Sequence, residues 1–220
     1  MYKGFLKRIF DLILAALGIL ILMPLAMLIY IALLVAYGYN PIFKQARPGK
    51  GENIFQILKF RTMNDKTGPD GKLLPDTIRL TSLGNLLRRT SLDEIPQLFN
   101  VLKGDMSLVG PRPLRVRYLK YYTPREQLRH SVKPGVTGLA QVSGRNSLDW
   151  DNKLELDVQY VEKCSFSLDC RIILKTAMKV WIAKDTEFRG EPDSFDVYRS
   201  EKNNDKLRLH QYGLTNIHSQ

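Results

Sequence analysis

The chain has few of the residues from which metal and redox sites are commonly built. It contains two cysteines, Cys164 and Cys170, and three histidines, His130, His210 and His218. The cysteines do not pair with nearby histidines at a zinc-ligand spacing, and the histidines are scattered. The sequence therefore argues against a zinc site, a redox pair and a histidine-based catalytic triad, and it fits a reduced compartment.

Familiar nucleotide-binding loops are also missing from the sequence. There is no Walker loop, no G-x-G-x-x-G motif after a strand, no internal repeat and no low-complexity tract. A length of 220 residues suits one domain with a core and an appendage, but hardly two full domains. We expect one catalytic domain with an anchor.

Acidic residues are outnumbered by basic ones. The 33 lysines and arginines against 22 aspartates and glutamates give a formal net charge of +11 and a pI near 9.6. Such a balance predicts a polyanionic partner: nucleic acid, anionic lipid headgroups or a phosphorylated substrate. Charge alone does not choose among these.

A long uncharged stretch follows the N-terminus. No charged residue occurs between residues 12 and 43, and residues 12–36 are almost wholly apolar, which exceeds the roughly 20 residues that span a bilayer. A cleaved signal peptide would have an apolar region of about 7–15 residues and a small-residue cleavage site. The segment is too long for that, and we expect it to lie in a membrane.

The flanks of this segment leave its topology open. Basic residues occur on both sides of it: Lys3, Lys7 and Arg8 before it, then Lys44, Arg47, Lys50, Lys59 and Arg61. Positive charge resists translocation at each end, and Pro24 breaks or bends a helix at a cost of about 3 kcal/mol. One alternative is a re-entrant helical hairpin that enters and leaves on the cytoplasmic side. The other is a kinked span, since proline is tolerated in spanning helices.

The remaining sequence predicts a mixed α/β domain that is mostly helical. The β-forming residues 42–43 and 54–60 flank a Pro-Gly turn and predict a short antiparallel hairpin. Apolar residues at helical spacing predict helices at 80–89 and from Ile95 to a stop at Gly104. Thr123, Pro124 and Glu126 are typical of a helix start, and Ser147 is a candidate cap for another helix.

A last helix, at about residues 167–184, combines basic and apolar surface. Arg171, Lys175 and Lys179 recur every four residues, while Ile172 and Trp181 are among the residues that supply apolar surface. This pattern is typical of a helix that lies in the membrane interface. It is equally typical of a helix packed on the core with a solvated basic face.

Two neighbouring carboxylates, Asp93 and Glu94, give the strongest indication of chemistry. They lie near a helix start, between the basic residues Arg88 and Arg112. Such a pair can bind a divalent cation, or one member can act as a nucleophile while the other assists. A structural alternative is a capping box formed by Ser91 and Glu94. The proline at position 96 weakens that alternative because it shifts the helix start.

Basic residues around this pair fit a diphosphate. Arginine binds phosphate oxygens bidentately, and several residues can together neutralise a diphosphate: Lys59, Arg61, Arg88, Arg112 and Arg145. Taken singly, each is more typical of a surface charge. Asp149 and Asp151 form a D-x-D pattern, which many nucleotide-sugar enzymes use for metal binding, but a three-residue pattern is common by chance.

The chain resembles the bacterial sugar transferases, the monotopic phosphoglycosyl transferases, and among them the small PglC type. The resemblance covers about residues 1–180. It rests on residues 7–11, the apolar segment with Pro24, and residues 43–49, 59–63, 91–107, 110–113 and 134–141. The domain division that we predict is a membrane anchor at 1–40, a catalytic domain at 41–184 and a polar tail at 185–220.

The resemblance implies a fold and a reaction. It implies a re-entrant helix broken near Pro24 and a catalytic domain on the cytoplasmic face of the bacterial inner membrane, in contact with lipid. It implies that Asp93 attacks a UDP-sugar and expels UMP, that Glu94 completes the dyad with Mg²⁺ nearby, and that undecaprenyl phosphate then accepts the phosphosugar. Five residues are carried over as substrate-site candidates: Lys59, Arg88, Arg112, Arg145 and Asp157. Nucleic acid is not an expected partner.

Two departures from the PglC pattern are visible. Met23 precedes Pro24 where a serine often stands, and the tail after about residue 184 differs, which leaves the donor sugar and the pathway open. Two other functions are kept as alternatives. One is a glycosyltransferase that moves only the sugar and uses Asp149 and Asp151, and the other is a non-enzymatic basic membrane adaptor.

Overall fold

The computed structural model describes residues 2–144, 148–182 and 194–202. Its elements are, in chain order, a long helix α1 (Lys7–Tyr37), strands β1 (Ile42–Pro48) and β2 (Ile54–Phe60), and helices α2 (Asp76–Arg79), α3 (Ser82–Arg89) and α4 (Gln97–Lys103). There follow β3 (Ser107–Val109), α5 (Pro124–Gln127), β4 (Gly135–Thr137), α6 (Leu139–Ser143), α7 (Trp150–Lys163) and α8 (Phe166–Ile182). The expected mostly helical chain with a long apolar N-terminal helix and a small antiparallel sheet is confirmed.

The two sheets are small. Strands β1 and β2 form the expected antiparallel hairpin, with Phe43 opposite Lys59. Strands β3 and β4 form a parallel pair that the sequence did not predict. Gly110, the residue after β3, lies close to the backbone that leads into β4. A Cβ at Gly110 would lie 2.5 Å from the carbonyl oxygen of Lys133. The loop after β3, which carries Arg112, is therefore tied to the β4 backbone.

Helix α1 continues in helical conformation through Pro24, so the break expected near this proline is not observed as an interruption of the helix. Within the part of the chain that the structure describes, this is the one helix long and apolar enough to cross a bilayer. Its N-terminal half packs Ala15 against Ile57 and Val101. Its C-terminal half packs Leu33 against residues of β2 and α3. Both halves of the helix therefore contact the folded domain.

Helix starts were predicted with mixed success. Thr123 and Glu126 form the expected capping box. Helix α7 is capped by Asp149, whose side chain accepts from the backbone N–H of Asn152, whereas the expected cap Ser147 lies outside the described residues. Residues 195–202, within the expected polar tail, are helical. Phe195 there is fully buried and stacks on Tyr122.

Helix α8 has one face in the core and another exposed. Ile172 and Asp169 are buried, while Leu174 and Met178 are each 59% exposed. Arg171 and Lys175 are exposed on the same helix. The helix thus packs on the domain and also presents apolar and basic residues to its surroundings.

Candidate functional site

The Asp93–Glu94 pair lies on a short 3₁₀ turn just before α4. The turn spans Leu92–Glu94, and the preceding Ser91 has a φ of 57°, in the left-handed region. A capping-box residue has extended backbone, so the capping alternative for Ser91 and Glu94 is wrong. Helix α4 begins only after Pro96 and ends at Gly104, whose φ of 99° suits glycine. This geometry leaves both carboxylates available for roles other than helix capping.

Two cations hold Glu94. Lys59 Nζ lies 2.6 Å from Glu94 Oε1, and Arg112 Nη2 lies 3.0 Å from the same oxygen. Lys59 reaches it from β2, and Arg112 from the loop after β3. Burial alone would raise the pKa of Glu94, but the charges and hydrogen bonds of Lys59 and Arg112 outweigh it and lower that pKa to about 2. Glu94 is therefore ionised and fixed in place.

Asp93 is held more loosely and is more deeply buried. Only 7% of the residue is exposed, and its Oδ2 lies 3.7 Å from Lys59 Nζ. Burial is the main cause that raises the pKa of Asp93, with a further contribution from the charge of Glu94. Lys59, Arg112 and Arg88 oppose this rise. The two carboxylates are therefore electrostatically different although they are neighbours in sequence.

Arg88 lies close enough to influence Asp93 and is oriented by Thr62, which was not among the site candidates taken from the sequence. Its Nε donates to the hydroxyl of Thr62 at 2.9 Å. Arg61, from the wider basic set, binds elsewhere: its Nε donates to the carbonyl of Asn40, and its Nη1 pairs with Asp65. Thr62 belongs to the segment 59–63 on which the family resemblance rests, but no spacing pattern singles it out as a site residue.

Asp157 lies behind the Arg112 loop. It is 4% exposed and pairs with Arg129, whose Nη2 lies 2.7 Å from Asp157 Oδ2. Arg129 also donates to the backbone carbonyl of Arg112 at 2.6 Å. The structure thus brings Lys59, Asp93, Glu94 and Arg112 together and places Asp157 one step behind them, while Arg145 lies outside the described residues.

The D-x-D pair makes structural contacts. Asp149 caps α7, and Asp151 accepts a hydrogen bond from Tyr198 at 2.8 Å and pairs with Lys202. Within the described ranges no group of three or more histidine, cysteine, aspartate or glutamate side chains is arranged to hold a metal ion. Asp93 and Glu94 are, by contrast, adjacent carboxylates with Lys59 and Arg112 beside them.

Comparison with known proteins places the chain in a family. The model for bacterial sugar transferases matches residues 2–183. The chain is 50% identical over 180 residues to the uncharacterized sugar transferase EpsL of Bacillus subtilis strain 168, covering 81% of this chain and 89% of that protein.

Two relatives have names that state a reaction. The chain is 39% identical over 180 residues to a UDP-glucose:undecaprenyl-phosphate glucose-1-phosphate transferase of Caulobacter vibrioides, covering 77% of this chain and 67% of the relative. It is 40% identical over 200 residues to an undecaprenyl-phosphate galactose phosphotransferase of Salmonella typhimurium, covering 82% of this chain but 41% of the relative's length. The span of the family model includes Lys59, the Asp93–Glu94 pair and Arg112, and the chain belongs to the bacterial sugar transferase family.

Proposed function

We propose that this sugar transferase moves a sugar 1-phosphate from a UDP-sugar to undecaprenyl phosphate and releases UMP, as the first membrane step of glycoconjugate biosynthesis. The observation that carries the proposal is the dyad itself, with Glu94 bound by Lys59 and Arg112 beside a buried and less restrained Asp93. The names of the Caulobacter and Salmonella relatives describe this kind of transfer to undecaprenyl phosphate. Because one names glucose and the other galactose, the proposal extends to the UDP-sugar class and not to one sugar.

Asp93 is the proposed nucleophile. Its carboxylate oxygen attacks the β-phosphorus of the donor, an O–P bond forms, and the bond to the bridging oxygen breaks so that UMP leaves with the electron pair. An oxygen of undecaprenyl phosphate then attacks the same phosphorus and frees Asp93. The raised pKa of Asp93 makes its ionised form a stronger base and so a better nucleophile.

Glu94 and the basic residues have a different role. A carboxylate repels a diphosphate, and fixed positive charge lowers this repulsion as the reacting groups approach. Lys59 and Arg112 are fixed by Glu94 at 2.6 and 3.0 Å. Glu94 thus positions two cations where the diphosphate meets Asp93, and Arg88, held by Thr62, adds a third positive charge nearby.

Mg²⁺ is the proposed cofactor. The ion is usually bound in such sites by one or two carboxylates together with substrate phosphates and water, and Asp93 and Glu94 are two adjacent carboxylates of that kind. The residues therefore fit an ion that is held jointly with the donor. When bound, Mg²⁺ would add positive charge at the diphosphate.

The contacts of α1 support a monotopic anchor in the inner membrane. At its N-terminal end, Asp11 accepts a hydrogen bond from the backbone of Leu108 at 3.0 Å. At its C-terminal end, the hydroxyls of Tyr37 and Thr81 are 2.8 Å apart. A helix crossing a bilayer core of about 30 Å would carry its ends to opposite sides, whereas one domain contacts both ends here. We therefore propose re-entry from the cytoplasmic face, with the exposed Leu174 and Met178 of α8 in the interface.

The test is a donor-only incubation. Without undecaprenyl phosphate, a UDP-sugar from a panel should release about one UMP per active site and leave a phosphosugar mass on the peptide containing Asp93. Asp93→Asn should abolish both signals because an amide is a poor nucleophile. Glu94→Gln should slow release severely.

Asp151→Asn is the matched control, because the glycosyltransferase alternative depends on Asp149 and Asp151. We expect this variant to release UMP as the native protein does. Release of UDP, or lipid-linked product at a native rate from a folded Asp93→Asn protein, would contradict the proposal. The adaptor alternative predicts salt-dependent binding to polyanions that is indifferent to Asp93.

A further inference from the structure

The loop that carries Arg112 is fixed from two directions. On one side it meets the β4 backbone, where Gly110 N–H donates to Thr137 at 2.9 Å and Gly135 N–H donates to Pro111 at 2.9 Å. On the other side the guanidinium of Arg129 donates to the carbonyl oxygen of Arg112. The Arg112 side chain then extends outward, 47% exposed, to reach Glu94.

Arg129 is itself tightly held. It lies on the 3₁₀ turn Leu128–Ser131 and is 2% exposed. Its Nε and Nη2 lie 3.1 and 2.7 Å from Asp157 Oδ2, and its Nη1 donates to the Tyr122 hydroxyl at 2.9 Å. One planar guanidinium thereby connects α7, the Tyr122 region and the Arg112 backbone, a fork geometry that lysine does not reproduce.

A purely structural ion pair would not need the third contact. Asp157 and Tyr122 already supply Arg129 with an anionic and a neutral acceptor. The bond to Arg112 goes to the backbone of the residue whose side chain binds Glu94. A shift of about 1 Å at a catalytic cation is enough to cost on the order of 100-fold in rate.

We propose that Arg129 is a positioning residue for the transfer reaction: through the backbone carbonyl of Arg112 it sets the Arg112 guanidinium against Glu94 of the dyad. Asp157 and Tyr122 orient Arg129 in turn. Asp157 therefore acts on the site through Arg129 and the Arg112 loop. This inference rests on the proposed function, since it assigns the consequence of the contact to UMP release.

The test is a double-mutant cycle on the donor-only rate. Arg129→Lys keeps a charge beside Asp157 but loses the fork, and in an otherwise native protein we expect UMP release to fall on the order of 10- to 100-fold. In an Arg112→Ala background the same substitution should change the rate less than about twofold, because the residue it acts through is gone. An equal loss in both backgrounds, or no loss in a folded Arg129→Lys protein, would overturn the proposal.

Arg125→Lys is the matched control. Arg125 also bonds carboxylates of α7, Glu155 and Glu162, but it does so on the exposed surface, and we expect its UMP release to be unchanged. Tyr122→Phe removes one acceptor of Arg129 and should give a smaller loss with the same dependence on Arg112. If Arg129→Lys does not fold, Tyr122→Phe takes its place in the cycle. An equal loss of UMP release from Tyr122→Phe in the native and the Arg112→Ala backgrounds would contradict the inference.

Hydrogen–deuterium exchange separates this inference from the proposed function. Arg129→Lys should speed exchange in residues 110–115 relative to the native protein, while residues 42–60 of the hairpin keep their native rates and Arg125→Lys changes neither. This result is expected whether or not any donor releases UMP. Unchanged exchange at 110–115 in a folded Arg129→Lys protein would show that the contact does not fix the loop.

Discussion

The Arg8 guanidinium donates a hydrogen bond to the backbone carbonyl of Val101, with 2.6 Å between Nη1 and the oxygen. Its Nη2 donates to Leu102 at 2.8 Å. Both carbonyls belong to the last turn of α4, where a cation is favourable, and the Val101 carbonyl also accepts from the backbone N–H of Gly104 at 3.1 Å. The first turn of α1 thus caps α4, the helix that follows the dyad.

Substitution of Arg8 should therefore destabilise the domain and not only the anchor. We expect Arg8→Gln to lower the free energy of unfolding by about 1–3 kcal/mol, because two charge-assisted hydrogen bonds are lost. Chemical unfolding in detergent, followed by tryptophan fluorescence, measures the change. Arg89→Gln removes the same charge from an exposed position in α3 and should leave stability within about 0.5 kcal/mol of native. Equal effects of the two variants would contradict the capping role.

Neutralising Glu94 should lower the free energy of unfolding, whereas neutralising Asp93 should not. Glu94→Gln leaves Lys59 and Arg112 without their anionic partner and should lower the free energy of unfolding by about 1–3 kcal/mol near neutral pH. Asp93→Asn removes a carboxylate whose ionised form is disfavoured by burial, so its stability should equal or exceed that of the native protein. Chemical unfolding of both variants near pH 7 tests this difference.

The same pair should show a defined pH dependence. Folding lowers the pKa of Glu94 from 4.5 to about 2. The contribution of its ionised form to the free energy of unfolding is therefore complete above pH 4.5 and is lost as the pH falls towards 2. The stability gap between native protein and Glu94→Gln should therefore narrow on acidification to about pH 3. The pKa of Asp93 is raised by burial, so acidification neutralises this carboxylate and removes the destabilisation caused by its charge. The difference in free energy of unfolding between the native protein and Asp93→Asn should therefore narrow as well. A gap for Glu94→Gln that widened in acid would refute the assigned direction.

The β-hairpin and the dyad could be predicted from sequence because their signals are local. Pro48 and Gly49 lie between two runs of β-forming residues, and the turn forms where that pattern places it. Asp93 and Glu94 are adjacent, so their proximity needs no fold. Lys59 and Arg112, in contrast, reach the dyad only because the hairpin and the loop after β3 bring them there. Sequence spacing does not predict this proximity, and the expectation that they belong to the site came from the family resemblance.

Other parts of the site depend on contacts that leave no mark on a single sequence. The pairing of Arg129 with Asp157 joins residues 28 positions apart, on a 3₁₀ turn and a helix with no shared periodicity. Strands β3 and β4 have three residues each, too few for an alternating pattern. The capping-box interpretation at Ser91 was wrong because the turn needs Ser91 in the left-handed conformation, a requirement that the Ser-Glu spacing does not reveal.

The membrane topology can be tested by thiol labelling in intact cells. Arg8 and Asp11 at one end of α1, and Tyr37 at the other, all bond to the same domain. A single cysteine replacing Lys3 and, in a separate protein, one replacing Lys50 should therefore both resist a membrane-impermeant reagent. The background is Cys164→Ala with Cys170→Ala. Positions 3 and 50 are both exposed in the folded protein, so protection of a cysteine there reflects the membrane.

Permeabilised cells provide the control for this experiment. Both cysteines should react fully once the membrane is opened, because neither position is buried by protein. Labelling of the cysteine at position 3 alone in intact cells would establish a span with the N-terminus outside. Labelling of the cysteine at position 50 alone would establish the opposite span. In either case the contacts at the two ends of α1 would have to separate in the membrane, and the proposed re-entrant anchor would be wrong.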